Sequence, residues 1–236
     1  MNISIYKVIS FILLMIMCVP AFALDLNRKH YQGIAKRAGD PLDYWVTIDF
    51  DDEDAKVNIG GISSFYGAYT IKGKGENATV TIQVPRGNSG MIKTSDGGES
   101  FEGNLKNYLG NLNLWILRVP SKFKPTELVS DELKQTISSK DGYTAFIKLE
   151  QSEGVACSTS EFIFSPDGRF SLKCDSPSLQ EIFENIRGTY YFEGNDLILK
   201  TDAGPTLDAT IYNDGTYISI PLGRKSGMDM EIILIR

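Results

Sequence analysis

The feature that most constrains the fold of this chain is a series of short apolar runs separated by Gly, Asn and Asp. The run at residues 44–50 is rich in β-branched and aromatic residues, and the acidic turn at residues 51–54 follows it. Near the other end of the chain, Ile218 and Ile220 share one face of a strand while Ser219 takes the other. Many short runs of this kind predict an antiparallel sandwich or barrel.

The predicted strands fall into two groups on either side of a break at residues 120–140. The expected strands lie near 44–50, 56–59, 66–73, 77–84, 99–105, 111–119, 142–150, 160–165, 168–174, 188–194, 196–201, 206–212, 215–221 and 228–236. Asn213-Asp214-Gly215 is typical of a hairpin turn. The sequence therefore predicts an all-β, antiparallel, meander or barrel-like fold.

Two segments read as helices. The break opens with two prolines, and residues 126–137 then carry apolar side chains at every fourth position, at Val129, Leu133 and Ile137. A second helix is predicted after Ser176, which can cap it, and Pro177, which suits the first helical position. We expect that helix to end at Gly188.

The two groups of strands look alike. Gly67-Ala68-Tyr69-Thr70-Ile71-Lys72-Gly73 matches Gly188-Thr189-Tyr190-Tyr191-Phe192-Glu193-Gly194 in its glycines, its tyrosine and its apolar alternation. Each half also ends on an apolar run closed by an arginine, at Arg118 and Arg236. Shared turn chemistry of small antiparallel modules is the alternative explanation. We predict two related β-modules, residues 24–119 and 141–236, joined by a linker at residues 120–140 that contains a short helix.

The second module resembles bacterial lipocalin-like barrels. The resemblance rests on the hairpin Phe162-Ile163-Phe164-Ser165-Pro166-Asp167-Gly168-Arg169-Phe170 and on the Gly-x-Tyr strand that begins at Gly188 and turns into the apolar strand at Leu197. The first module is similar to the same pattern, but less closely. The resemblance implies a meander barrel that holds a small ligand.

The N-terminus predicts export. Residues 1–23 read as a signal peptide, with Lys7 before an uncharged apolar run at residues 8–19 and with Ala21 and Ala23 at the −3 and −1 positions of a cleavage site. The apolar run is shorter than the roughly 20 residues that span a bilayer, which disfavours a membrane anchor. A lipoprotein site at Cys18 is the other alternative. We expect a periplasmic or secreted protein that does not span the membrane after cleavage.

Export also changes the interpretation of the cysteines. Cys157 and Cys174 are the two that remain after cleavage, and an even number in an exported protein favours a disulfide. The turn at residues 165–168 folds position 174 back to roughly opposite 157–159. We therefore predict a structural disulfide between Cys157 and Cys174, because a redox pair would favour a Cys-x-x-Cys spacing.

Charge limits the partners. The net charge is −6 with a pI of about 4.9, whereas nucleic-acid and anionic-membrane binders need basic surface. The second module carries a net charge of −7, against −1 for the first. That asymmetry favours, as an alternative function, a module that presents an acidic face to a basic partner protein.

Catalytic patterns are weak. His30 is the only histidine, so a zinc site built on imidazoles is not expected. Gly87-Asn88-Ser89-Gly90 is close to the nucleophile segment of chymotrypsin-like proteases, and Ser121-Lys122-Phe123-Lys124 fits the Ser-x-x-Lys of penicillin-binding enzymes, but neither has its accompanying motifs. The carboxylates of residues 49–54 miss the glycine and glutamate positions of a calcium loop.

The remaining candidates for ligand binding are aromatic residues on the predicted strands, namely Trp45, Tyr69, Trp115, Tyr190 and Phe192. They suit either core packing or a ligand cavity. We therefore expect an exported, non-enzymatic β-barrel protein without a cofactor that binds a small apolar ligand or a cell-envelope component. The alternative is a protein-interaction module, such as an inhibitor of an exported enzyme or an envelope assembly accessory.

Overall fold

The computed structural model of the chain describes residues 23–40, 43–60, 63–84, 86, 88–107, 110–139, 141–149, 154–174, 186–225 and 228–236. Within these residues, sixteen antiparallel strands form two closed eight-stranded barrels, which confirms the predicted all-β fold with two related modules. Residues 1–22 of the predicted signal peptide, including Ala21, lie outside the described residues, as does most of the predicted helix after Ser176.

The first barrel comprises β1 (His30–Arg37), β2 (Asp43–Phe50), β3 (Asp54–Ile59), β4 (Ser63–Lys74), β5 (Asn77–Val84), β6 (Asn88–Thr94), β7 (Ser100–Asn107) and β8 (Gly110–Val119). The second comprises β9 (Tyr143–Leu149), β10 (Gly154–Phe164), β11 (Arg169–Cys174), β12 (Arg187–Glu193), β13 (Asp196–Thr201), β14 (Thr206–Tyr212), β15 (Tyr217–Lys225) and β16 (Met228–Ile235). Consecutive strands pair, and each barrel closes between its first and last strands, β1 with β8 and β9 with β16.

Apolar side chains fill the barrel interiors. Alternation along each strand sends one set of residues inward, where most are almost completely buried. The largest inward side chains include Tyr31, Phe50 and Phe101 in the first barrel and Phe162 and Phe164 in the second. Eight strands enclose a space just wide enough for such side chains or for one small ligand.

The same chain of three aromatic rings runs through both barrels. In the first barrel, the Tyr31 ring lies 5.6 Å from Phe50, which lies 5.0 Å from Tyr69. In the second, the Tyr143 ring lies 6.0 Å from Phe164, which lies 5.0 Å from Tyr190. All four contacts are edge-to-face, and the rings come from the first, second and fourth strands of each barrel. The match extends the sequence similarity to three-dimensional packing.

Further equivalences support the same alignment. The hydroxyl of Tyr31 donates to the carbonyl of Gly98, and that of Tyr143 donates to the carbonyl of Gly215. Both glycines lie between the sixth and seventh strands of their barrels and have positive φ, at 92° and 84°. Burial raises the pKa of both phenols, and that of Tyr143 rises to about 12 despite the opposing charge of nearby Arg236.

The repeated glycines at the start of the matching segments are required by close strand contact. A Cβ on Gly67 would lie 1.8 Å from the carbonyl oxygen of Gln83, and a Cβ on Gly188 would lie 2.0 Å from that of Lys200. A side chain at either position would force the fourth and fifth strands of its barrel apart.

The linker packs against one end of the second barrel. Its helix α1 (Asp131–Ile137) is capped by Ser130, so it begins later than the predicted residue 126. Leu133 and Ile137 on α1 join the core of the second barrel. Upstream, Asn195 and Asn213, from two turns of that barrel, hydrogen-bond the linker backbone. These bonds hold residues 122–129 in a non-helical backbone, so the prediction of helix from residue 126 was wrong for residues 126–129.

The two barrels meet through outward-facing side chains of β1, β2 and β8 and of β9, β15 and β16. The first barrel contributes Ile34, Trp45, Trp115 and Val119, and the second contributes Phe146, Tyr217, Ile233 and Ile235. The rings of Trp45 and Trp115 lie 5.4 Å and 5.7 Å from Phe146. A short pairing between β2 and β10 adds backbone hydrogen bonds.

The sequence pattern missed two strands. β1 begins with polar residues, and β6 begins at Asn88, within the segment that reads as a Gly-rich loop. Cys157 lies in β10 and Cys174 in β11, where the register pairs Cys174 with Ser160. Their disulfide stays a prediction.

Candidate ligand groove on the first barrel

A groove of about 780 Å³ runs across the outer face of β6, β7, β8 and β1. Two rows of outward side chains cross these strands, and the strand register defines both. The first row is Ile34, Trp115, Glu102 and Lys93, and the second is Lys36, Asn113, Asn104 and Met91. Hereafter these eight residues and the space above them are called the outer groove. Side chains directly opposite each other across a ladder lie about 5 Å apart, so each row forms a continuous surface.

The outer groove combines one aromatic surface with planar polar groups. Trp115 is half-buried because its indole also contacts Phe146, while Asn104 and Asn113 are exposed. Met91 is 50% exposed, which leaves its thioether accessible at the far end of the second row. The groove thus offers an apolar face beside amide groups that can both donate and accept hydrogen bonds.

Charges in the outer groove are balanced. The Lys36 ammonium lies 3.6 Å from the Asp43 carboxylate. Lys93 stands directly opposite Glu102 across β6 and β7. Each lysine therefore has a carboxylate beside it, and the groove presents little net charge to a ligand.

Two inward-facing glycines lie beneath the outer groove. Gly103 lies between the outward residues Glu102 and Asn104, and a Cβ at this position would lie 2.0 Å from the carbonyl oxygen of Met91. Gly33 on β1 is similar, with its Cβ position 2.1 Å from the carbonyl oxygen of Trp115. Only a residue without a Cβ allows the neighbouring strand to approach this closely beneath the groove.

The second barrel does not repeat this surface. Counting from the shared tyrosines, the strand register matches Ile34 to Phe146 and Trp115 to Ile233. It also matches Asn113 to Glu231, Asn104 to Pro221 and Gly103 to Ile220. Ile220 is fully buried and fills the inward position that Gly103 leaves without a side chain. The amide pair, the indole and the glycine are thus specific to the first barrel.

The aromatic residues singled out in the sequence separate into two classes. Tyr69, Tyr190 and Phe192 pack in or against the barrel cores, whereas Trp45 and Trp115 lie at the junction between the barrels. Only Trp115 of these five also borders the outer groove. The asparagines and lysines of the groove carried no sequence signal, because their alignment depends on pairing among four strands.

The structure brings His30 to a partner that the sequence did not indicate. Its Nδ1 lies 2.7 Å from Oδ1 of Asp49 on the neighbouring strand. Ser121 lines the same small crevice, while Ser89 lies on β6, separated from β1 by β7 and β8. His30 and Ser89 therefore do not form the arrangement that a protease would need.

The acidic turn forms the rim of a separate open depression with Lys56 and Tyr66. Among the described residues, no three His, Cys, Asp or Glu side chains converge as metal ligands. The described part of the chain also contains no helix long and apolar enough to cross a membrane. Comparison of the chain with protein-family models, with curated proteins and with solved structures found no match.

Proposed function

We propose that this protein is an exported, non-enzymatic binding protein that holds a polar, extended component of the cell envelope, of the oligosaccharide class, in the outer groove. The observation that carries the proposal is the pair of side-chain rows, with Trp115 next to Asn104 and Asn113. The volume of the groove lies within the range of about 300–1,000 Å³ that is common for ligand sites.

The chemistry of the rows suits a sugar. A pyranose ring has an apolar face of C–H groups that can lie against an indole, and its rim of hydroxyls pairs with groups that donate and accept together. Trp115 supplies the first surface, and the two asparagine amides supply the second. The open ends of the groove suit a chain of several rings better than a single compact molecule.

The charge balance favours a neutral ligand. Because Lys36 and Lys93 each stand beside a carboxylate, the groove offers no unopposed cluster of charge that would select a strongly anionic chain. The barrel interiors are occupied by buried side chains, which favours the outer groove over an interior site for an apolar ligand. Of the two ligand classes expected from the sequence, we therefore favour a cell-envelope component over a small apolar ligand.

Isothermal titration calorimetry with a soluble N-acetylglucosamine tetramer tests the proposal. We expect saturable binding that weakens about tenfold or more in the double variant Asn104→Ala/Asn113→Ala. Removal of both hydrogen-bonding side chains should reduce the free energy of binding by about 1–3 kcal/mol. Asn111→Ala is the matched control. Asn111 lies on the same strand and is exposed, but it is outside the groove.

Two outcomes would contradict the proposal. Equal loss of affinity in Asn111→Ala would show that the response is not specific to the groove. Binding of an extended alanine-rich peptide with the same dependence on Asn104 and Asn113, together with no response to the sugar, would favour the protein-interaction alternative.

A further inference from the structure

A second candidate site lies in a small crevice between the outer face of the first barrel and the linker. Its floor is the outer face of β8, β1 and β2, where His30 stands between Val119 and Asp49 in the strand register. Gln32 lies on the same outer face, two residues along β1 from His30. Pro120, Ser121 and Phe123 of the linker line its other side, and the half-open crevice has a volume of about 220 Å³. This ammonium crevice, as we call it, shares no lining residue with the outer groove.

Three acceptor groups border this crevice. Asp49 offers a carboxylate, and its hydrogen bond with His30 Nδ1 orients the imidazole. When the neutral ring donates from Nδ1, its Nε2 is an acceptor. The third is the side-chain oxygen of Gln32, which is buried and has no hydrogen-bond partner in the described part of the chain. A buried acceptor of this kind is costly unless a donor reaches it.

We infer that the ammonium crevice binds a small primary ammonium ligand through Asp49, His30 and Gln32. A protonated primary amine has three N–H donors and one positive charge, which match three acceptors of which one is a carboxylate. Val119, Pro120 and the ring of Phe123 supply an apolar wall for a short alkyl chain. The volume is far too small for the oligosaccharide that we place in the outer groove.

The surrounding charges favour a cation. Asp49 also borders the acidic turn, whose carboxylates add negative potential on the same side of the barrel. Lys56 is the register partner of Asp49 on β3, but its ammonium lies over the ring of Tyr66, 5.9 Å from the ring centroid.

The single histidine makes the test direct, because one imidazole gives one set of ring proton signals. We would titrate the protein with n-propylammonium at about pH 8, where a primary amine is charged. We expect a saturable shift of the His30 ring signals. Neutral n-propanol and tetramethylammonium, which has charge but no N–H donors, should give little or no saturable shift.

Substitutions test which residues bind n-propylammonium. Asp49→Asn should weaken n-propylammonium binding by about tenfold or more, because the charged acceptor is lost. Asp51→Asn, in the adjacent turn but outside the crevice, is the matched control and should change it little. Gln32→Leu should also weaken binding, while leaving the free energy of unfolding unchanged or higher because it removes an unpaired buried oxygen.

The inference is overturned by an absence of saturable shift, by an equal response to n-propanol, or by unchanged affinity in Asp49→Asn. Asn104→Ala should leave n-propylammonium binding unchanged. A failure in this crevice is therefore distinguishable from a failure of the oligosaccharide groove.

Discussion

The two barrels share several features of their interiors and differ more on their outer faces. Both carry the same chain of three rings, the same tyrosine-to-glycine hydrogen bond and the same crowded glycine on the fourth strand. On the outside, the first barrel has Trp115, Asn113 and Asn104 where the second has Ile233, Glu231 and Pro221. The shared positions serve folding, and the positions found in one barrel alone are the better candidates for binding.

The largest expected effect tests whether the two interiors are equivalent. Phe50→Ala and Phe164→Ala each remove the middle ring of the chain, and both side chains are almost completely buried. We expect each to lower the free energy of unfolding by about 3–5 kcal/mol. Urea denaturation measures the loss, and hydrogen exchange locates it. Tyr66→Ala is the exposed control, and a loss below about 1 kcal/mol in one of the two buried variants would break the equivalence.

A smaller effect is expected at the crowded glycines. Gly67→Ala and Gly188→Ala each bring a Cβ against a carbonyl oxygen of the adjacent strand, so backbone must shift. We expect each to lower the free energy of unfolding by about 1–3 kcal/mol. In Gly90→Ala the nearest atom belongs to the flexible Leu105 side chain at 3.2 Å, so its loss should be smaller. An equal loss in all three variants would contradict the close-contact explanation.

Alkaline pH should weaken both barrels together. Burial raises the pKa of Tyr143 to about 12 and raises that of Tyr31 as well, whereas an unfolded tyrosine titrates near pH 10. The folded protein retains phenolic protons that the unfolded chain releases, so stability declines as pH rises from about 10 to about 12. Urea midpoints across this range measure the decline. Tyr143→Phe should make it shallower, and an unchanged slope in that variant would contradict the assignment.

The smallest expected effect on stability distinguishes the outer face from the interior. Asn104→Ala and Asn113→Ala alter exposed side chains of the outer groove, so each should change the free energy of unfolding by less than about 0.5 kcal/mol. Chemical denaturation of these variants is the measurement. A loss above about 2 kcal/mol would assign these asparagines a folding role and weaken the argument for binding.

The fold could be predicted from the sequence because strand formation depends on local patterns that the chain repeats. Strand alternation, the turn at residues 165–168 and the match of Gly67 to Gly188 all follow from local backbone geometry. β1 and β6 were missed because their polar and glycine residues give no clear alternation. The outer groove could not be predicted from the sequence, since Asn104 and Asn113 become neighbours only through the pairing of β7 with β8.

Methyl NMR tests the central claim most directly, because each barrel carries a methionine reporter. Met91 lies in the outer groove, and Met230 lies against the core of the second barrel. On titration of methyl-labelled protein with the N-acetylglucosamine tetramer, we predict a saturable shift of the Met91 methyl signal and an unchanged Met230 signal. A shift confined to Met230, or no shift at Met91 at saturating sugar, would contradict ligand binding in the outer groove.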